Sequence, residues 1–211
     1  KKNLSFVTPE EVEKMVGQPD VVLVDVRPMD LFEAYHIESS INLPAEKIST
    51  LDKSYQDKKI VLIDQAETTL DAADLIELNQ KGFRLFYLEG GFEKYQALGF
   101  SVISFGYPDS PFDTAKTRPI DGQTLKSRIE NGEHFQFLDV REKSEFEKFR
   151  ISGSRNIPLE ELETKKDDLP LGRIVIVDEN PLRSFRAAVK LFDMHFIDIL
   201  YLSESLSSLK K

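Results

Sequence analysis

Two continuous apolar runs stand out in the hydrophobic pattern of the chain, and each ends in an aspartate. The runs are Ile60–Ile63 before Asp64 and Ile174–Val177 before Asp178. Short apolar runs without polar alternation are typical of strands buried on both faces of a parallel sheet. The pattern therefore predicts two central strands whose carboxyl ends each carry an acidic side chain.

Strand and helix patterns alternate around both runs. The predicted strands are 21–24, one ending at Leu43-Pro44, 60–63 and 83–88, then 135–138, one ending at Ile157-Pro158, 174–177 and 196–202. Helices are predicted at about 70–81, ended by Gly82, and at 184–193. Their predicted buried faces are Leu70, Ala73, Leu75 and Ile76 in the first helix and Phe185, Ala188, Leu191 and Phe192 in the second. This alternation predicts an α/β fold with parallel sheets covered by helices on both faces.

The two halves of the chain repeat each other in one gap-free register, displaced by 114 residues. The matched pairs include Asp25/Asp139, Val26/Val140, Arg27/Arg141, Phe32/Phe146, Asn42/Asn156, Pro44/Pro158, Asp64/Asp178 and Tyr87/Tyr201. A repeat of this length indicates a duplicated domain. The predicted domains are 5–104 and 117–211, the second trimmed at its C-terminus, and a proline-containing linker at 105–116 joins them.

Composition narrows the functions that such a chain can have. The 211 residues carry a formal net charge of −9 and include no cysteine. The negative charge argues against a nucleic-acid partner, and the absence of cysteine excludes disulfides, thiolate metal sites and cysteine catalysis within this chain. No apolar run reaches the roughly 18 residues of a membrane span. The chain begins Lys1-Lys2, which suggests a truncated N-terminus and leaves a cytoplasmic or exported location open.

Short motifs in both halves resemble the signatures of the rhodanese (sulfurtransferase) family. They are Asp25-Val26-Arg27, His36-Ile37, Asn42-Leu43-Pro44 and Leu88-Glu89-Gly90-Gly91-Phe92 in the first half, and Asp139-Val140-Arg141-Glu142, Glu145-Phe146 and Asn156-Ile157-Pro158 in the second. The resemblance covers both domains and implies two rhodanese folds, each a five-stranded parallel sheet with helices on both sides. The second half lacks the Gly-Gly of the first.

The resemblance also implies where chemistry would take place. In active members the third strand ends in a cysteine, and backbone N–H groups of the following six-residue loop stabilise its persulfide. The corresponding loops are Asp64, Gln65, Ala66, Glu67, Thr68 and Thr69 in the first domain and Asp178, Glu179, Asn180, Pro181, Leu182 and Arg183 in the second. Both place an aspartate at the nucleophile position.

An aspartate cannot carry a sulfane sulfur, so we expect each one to accept the hydrogen bonds of its own loop as an internal plug. Glu67 and Glu179 would repel anions, and Pro181 removes one N–H donor. Arg183 stands where the family often has arginine, whereas Thr69 occupies that place in the first domain. The second loop is therefore expected to keep more of an anion site.

The remaining polar residues have structural interpretations. Asp25 with Arg27, and Asp139 with Arg141, are predicted to form structural ion pairs at strand ends. His36 fits a fold motif, and no spacing of His, Asp or Glu predicts a metal or cofactor site. An aspartyl-phosphate mechanism would need a second carboxylate two residues after the nucleophile, where Ala66 and Asn180 stand.

Together these features predict a catalytically inactive tandem rhodanese-like protein that acts as a binding, regulatory or scaffold module for an unidentified protein partner. Two alternatives stay open. The chain could be the non-catalytic portion of a sulfurtransferase whose active cysteine lies elsewhere, or it could sense anions through Arg183.

Overall fold

The computed structural model describes residues 5–66 and 69–210 of the chain. The chain divides into two compact units, Lys1–Ile103 and Ser104–Lys211. Each unit is described by itself below.

Unit 1 is made of short strands and helices. Its elements are β1 (Phe6–Val7), α1 (Pro9–Met15), β2 (Val21–Asp25), α2 (Met29–Ala34), β3 (Tyr35–His36), β4 (Ile41–Asn42), β5 (Lys59–Ile63), α3 (Ala72–Gln80), β6 (Arg84–Leu88), α4 (Gly91–Ala97) and, at its end, β7 (Ile103–Ser104), with 3-10 turns at Ala45–Thr50 and Lys53–Tyr55. Thr8 caps α1 in a capping box with Glu11, and Asp71 caps α3.

Unit 2 begins with one additional helix and then repeats the five strands of the main sheet in the same order. Its elements are α5 (Pro111–Ala115), β8 (Pro119–Ile120), α6 (Gly122–Glu130), β9 (Gln136–Asp139), α7 (Lys143–Lys148), β10 (Arg155–Asn156), β11 (Ile174–Val177), α8 (Pro181–Asp193) and β12 (Ile199–Leu202), with 3-10 turns at Leu159–Glu161, Lys166–Asp168 and Leu206–Lys210.

Each unit is built on a five-stranded sheet with parallel pairing. The strand order is β1-β6-β5-β2-β4 in unit 1 and β8-β12-β11-β9-β10 in unit 2, which is the same topology. This confirms the predicted fold class. Asp25 pairs in register with Ile63, and Asp139 with Val177, so that each loop after the central strand starts beside a buried aspartate.

The central strand of unit 1 contributes side chains to a core on each face of its sheet. Ile60 and Leu62 belong to one buried cluster, and Val61 and Ile63 belong to another. Because successive side chains of a strand point to opposite faces, a strand buried on both sides has to be apolar at every position. The unbroken apolar run therefore predicted the buried strand correctly.

The predicted buried faces of the helices are wrong at three positions. Ile76 is 45% and Phe192 42% exposed, and Ala73 is also exposed. In α3 the side chain that reaches the core is Leu78, which follows Leu75 by three residues and therefore lies on the same helix face. Ile76 is rotated by about 100° from Leu75, away from that face.

The segment 105–116, predicted as a linker, contains α5 and packs within unit 2. The Lys116 ammonium lies 3.1 Å from a carboxylate oxygen of Asp113 and 2.8 Å from one of Asp193. Asp113 also accepts hydrogen bonds from the Ser104 hydroxyl and the Tyr107 amide. The domain boundaries given by the sequence stay a prediction. Among the described residues, none of the helices combines the length and apolar character needed to cross a bilayer.

Candidate functional site

A buried ion pair lies at the carboxyl end of β2 in unit 1. Asp25 accepts hydrogen bonds from the Arg27 amide at 3.0 Å, from its Nε at 2.9 Å and from its Nη2 at 2.7 Å. Both side chains are almost fully buried. The Arg27 guanidinium also donates to the Tyr35 carbonyl and lies 3.7 Å from the centre of the Phe92 ring. The pair thus stabilises the carboxyl end of β2, beside the point where the candidate loop leaves β5.

Unit 2 repeats this arrangement at the end of β9. Asp139 accepts from the Arg141 amide, Nε and Nη2 at 3.1, 2.9 and 2.7 Å, and Arg141 Nη2 donates to the Phe149 carbonyl. Hydrogen bonding to Asp139 is the first cause of the raised pKa of Arg141. At each edge strand an asparagine, Asn42 or Asn156, donates its amide to the carbonyls of the same Asp and Arg. Three residues of the sequence signature therefore form one connected structure in each unit.

In unit 1 the carboxylate of Asp64 accepts hydrogen bonds from its own loop. One oxygen accepts from the Gln65 amide at 2.7 Å, and the other accepts from the Thr69 amide and from the Thr69 hydroxyl at 2.8 Å. The Gln65 side chain joins the loop to Arg27 and to Glu93. The predicted roles of Glu67 and Thr68 concern residues outside the described part of the chain.

The Gly90-Gly91 turn supports this loop from the other side. The Phe92 amide donates to the Asp64 carbonyl at 2.7 Å, and the Glu93 amide donates to the Gln65 carbonyl at 2.9 Å. Gly91 has a φ of 63°, and a Cβ atom there would lie 2.7 Å from the Asp64 carbonyl oxygen. Glycine is required at this position by both the backbone conformation and the close approach.

In unit 2 the carboxylate of Asp178 is also engaged by its loop. One oxygen accepts from the Asn180 amide at 2.8 Å, and the other accepts from Arg183 Nε at 3.1 Å. Burial raises the pKa of Asp178, and the hydrogen bonds from Asn180 and Arg183 offset this effect only in part. Arg183 Nη1 donates at 3.0 Å to Glu160, so the guanidinium is shared between two carboxylates.

Glu179 points toward the C-terminal segment of unit 2. Its Oε2 accepts from the hydroxyls of Ser205 and Ser207, and Oε1 lies 3.7 Å from Arg141 Nη1. Burial would raise the pKa of Glu179, but the hydrogen bonds from Ser205 and Ser207 lower it overall. The Leu206 amide donates to the Asp178 carbonyl at 3.0 Å, at the same register as Phe92 in unit 1. Segment 205–207 thus supports the second loop although the Gly-Gly pair is missing.

The structure brings some of the predicted loop residues together and leaves others apart. Asp64, Gln65 and Arg27 are connected in unit 1. In unit 2 Asp178 pairs with Arg183, and Glu179 lies near Arg141. Pro181 is the first residue of α8, and the Leu182 amide donates to the Asn180 side chain. Glu160, Ser205 and Ser207 could not be identified from the sequence, because their contacts depend on residues 23 to 28 positions away.

Among the described residues, the histidines do not belong to any group of side chains that could hold a metal ion. His36 stacks on Phe32 with ring centres 4.2 Å apart and its Nδ1 lies 3.0 Å from the Phe32 carbonyl. His195 follows α8 in the left-handed backbone region. Across residues 5–66 and 69–210, no three His, Asp or Glu side chains gather in a way that could hold a metal ion.

The fold and the two loops define a protein with two α/β domains of the same topology, as the sequence signatures imply. The model of the rhodanese-like domain family matches residues 8–98 and 121–211, so the chain belongs to this family and carries two such domains. This confirms the resemblance predicted from the motifs.

The chain is also similar to individual proteins. The thiosulfate sulfurtransferase GlpE of Coxiella burnetii (strain RSA 331 / Henzerling II) is 30% identical over 88 residues, covering 41% of this chain and 82% of GlpE. Human dual specificity protein phosphatase 6 is 30% identical over 113 residues, and this chain spans only 30% of its length. A solved thiosulfate sulfurtransferase from Pseudomonas aeruginosa aligns with 97% of this chain and 44% of its own, at 19% identity and a TM-score of 0.43.

The raised pKa of Asp178 predicts a specific pH dependence for Asp178→Asn. The folded state holds a proton on Asp178 more tightly than the unfolded state does, so this group stabilises the fold at low pH and loses that effect as pH rises through the folded pKa. We therefore expect urea unfolding at pH 7 and at pH 4 to show a change in the difference between the two proteins. The free energy of unfolding of the wild type, relative to that of Asp178→Asn, should be larger at pH 4 than at pH 7. A relative gain by the variant on acidification would contradict the sign.

Proposed function

We propose that both rhodanese-like domains are catalytically inactive and that the chain acts as a binding or regulatory module. The proposal rests on the residue at the end of each central strand, which is Asp64 in one domain and Asp178 in the other. Sulfur transfer by this family's chemistry needs a thiolate that can form a persulfide, and a carboxylate cannot form that bond. No other residue of the chain supplies a thiol, because the sequence contains no cysteine.

The hydrogen bonds of both loops support an internal plug. Asp64 takes up two loop amides and a hydroxyl, and Asp178 takes up one amide and the Arg183 guanidinium. These are the kinds of donors that would otherwise stabilise a persulfide or a bound anion. An incoming anion would have to displace a carboxylate that is covalently part of the chain, which disfavours binding at either loop.

The charges around Arg183 argue against anion sensing. This guanidinium contacts Asp178 and Glu160, and Glu179 with its lowered pKa is ionised at neutral pH in the same loop. Two carboxylates therefore already pair with this one cation. An anionic ligand would meet repulsion from one of them even if it displaced the other.

A second candidate is that the chain forms the non-catalytic portion of a sulfurtransferase whose cysteine lies elsewhere. The similarity to most of the length of GlpE, a thiosulfate sulfurtransferase, favours it. Under this hypothesis the chain alone would be inactive, but it would change the turnover of a cysteine-containing partner when the two are mixed.

The proposal is tested by a thiosulfate:cyanide assay on the full chain, with GlpE as the active reference. We expect no thiocyanate above the protein-free blank at any chain concentration. Turnover by this cysteine-free chain would overturn the proposal. In a mixture, unchanged GlpE turnover is expected for a separate binding module, and a change proportional to added chain would favour the second candidate.

A further inference from the structure

A groove in unit 2 lies at the amino ends of β9, β11 and β12. The candidate loops lie at the opposite end of the sheet, where the strands end. Its volume is about 740 Å³, and its apolar lining includes Phe137, Pro170, Leu171 and Phe196. A smaller hollow of about 320 Å³ shares Phe196 and adds Ile197. Leu171 is 84% and Ile197 83% exposed, so two large apolar side chains project into solvent beside the groove.

The repeat provides an internal comparison for this groove. At the same register, unit 1 has Gln56 for Pro170, Asp57 for Leu171 and Gly82 for Phe196. The fold therefore forms without these apolar residues, which rules out a general structural requirement for them. A large exposed apolar patch usually marks a surface that contacts another molecule.

The charge of the groove also differs between the two domains. Arg155, Lys166 and Asp167 line it, whereas unit 1 has Ile41, Asp52 and Lys53 at those positions. Arg155 is exposed, donates to the Asp168 carbonyl and takes part in no ion pair among the described residues. In the neighbouring hollow, Asp198 is already neutralised by Arg118 and Arg173. The lining thus carries two cationic side chains and one carboxylate beside apolar walls, a formal excess of one positive charge in a chain whose net charge is −9.

On this basis, and on the proposed role as a binding module, we propose that the groove binds a segment of another protein that presents apolar side chains next to carboxylates. The apolar residues would pack against Leu171, Phe196 and Ile197, and a carboxylate would pair with Arg155. A small molecule fits less well, because small-ligand sites enclose most of the ligand surface, whereas Leu171 and Ile197 stand on an open face.

The test uses the isotope-labelled full chain and three short capped peptides followed by nuclear magnetic resonance. The probe is Glu-Leu-Glu-Phe-Leu-Glu, and its controls replace every Glu by Lys or every apolar residue by Ala. We expect saturable shifts of the amides of Phe137, Leu171 and Phe196 with the probe. Both controls should bind at least about tenfold more weakly, since each removes either the charge or the apolar contacts.

Two variants locate the binding surface. Leu171→Asp with Arg155→Ile restores the residues of unit 1 and should abolish the shifts, while the fold is kept because both positions are exposed. Phe112→Asp removes an apolar side chain that is 82% exposed outside the groove and should leave binding unchanged. Lack of binding by the probe, or equal binding to the double variant, would overturn the proposal.

Two further outcomes are distinguishable. Shifts of the same amides with protein concentration alone would identify a second copy of the chain as the occupant and would also overturn the proposal. A thiosulfate:cyanide assay on the same samples separates the proposed inactivity from the proposed peptide binding. Turnover would contradict the inactivity and would leave the groove result unaffected. Missing peptide binding would contradict only the proposal on the groove.

Discussion

Asp139→Ala should lower the free energy of unfolding of unit 2 by about 3–5 kcal/mol, because it leaves the Arg141 guanidinium buried without its counter-charge. Arg141 would keep the Phe149 carbonyl at 2.6 Å and the more distant Glu179 at 3.7 Å. It would also lose the acceptor of its own amide. A loss of this size is a large part of the stability of a small domain. Hydrogen exchange of the β9 and β11 amides measures it within unit 2.

The chain offers matched controls for this prediction. Asp167→Ala removes an exposed carboxylate in the same unit and should change the stability by less than about 0.5 kcal/mol. Replacing both partners by apolar residues, in Asp139→Leu with Arg141→Met, should cost less than the single change, since no buried charge stays unpaired. A loss below about 1 kcal/mol for Asp139→Ala would show that the buried pair is not a main support of the sheet edge.

Asp178→Cys combined with Glu179→Ala should give the chain a sulfurtransferase activity, whereas none is expected for the wild type. The new thiol would lie beside Arg183 and the Asn180 amide, which now bind the carboxylate, and both favour the thiolate. The thiolate would take the sulfane sulfur of thiosulfate with release of sulfite, and cyanide would then remove that sulfur as thiocyanate and restore the thiolate. Thiocyanate formation and the added mass of one sulfur atom on the protein measure the two steps.

The first domain supplies the comparison for this experiment. Asp64→Cys should react at least about tenfold more slowly, because Thr69 stands in place of the arginine and a missing cation raises the thiol pKa. Asp178→Ser with Glu179→Ala keeps a polar side chain but cannot hold a persulfide, so it should be inactive. Activity of Asp64→Cys without activity in the second domain would reverse this ranking of the two loops.

The strands and the duplicated signature could be predicted from the sequence because they depend on local rules. A strand buried on both faces, such as Ile174–Val177, has to be apolar at every position, and this requirement can be read directly from the sequence. The repeat displaced by 114 residues then indicated two equivalent sheets. The short edge strands Phe6–Val7 and Pro119–Ile120 were missed because a two-residue strand carries too few positions to show a period.

The faces of the helices were predicted less well than the strands. Ile76 and Phe192 were expected in the core and are exposed, since the phase of a helix is fixed by the sheet it packs on and not by its own apolar residues alone. Leu78 is the core residue of α3 instead. A helix with apolar residues on more than one face leaves this choice to the tertiary contacts.

The sequence by itself determined that the chain holds two rhodanese-like domains and that each places an aspartate where the resemblance implies a cysteine. Those conclusions need only residue identities and spacing. The tertiary structure alone decided what surrounds each aspartate, because hydrogen bonds and desolvation depend on atoms that are distant in sequence. In the folded protein Arg183 donates a hydrogen bond to Glu160, 23 residues away, and Ser205 donates one to Glu179, 26 residues away. It also brings Leu171 and Phe196 to one groove, which no local pattern could indicate.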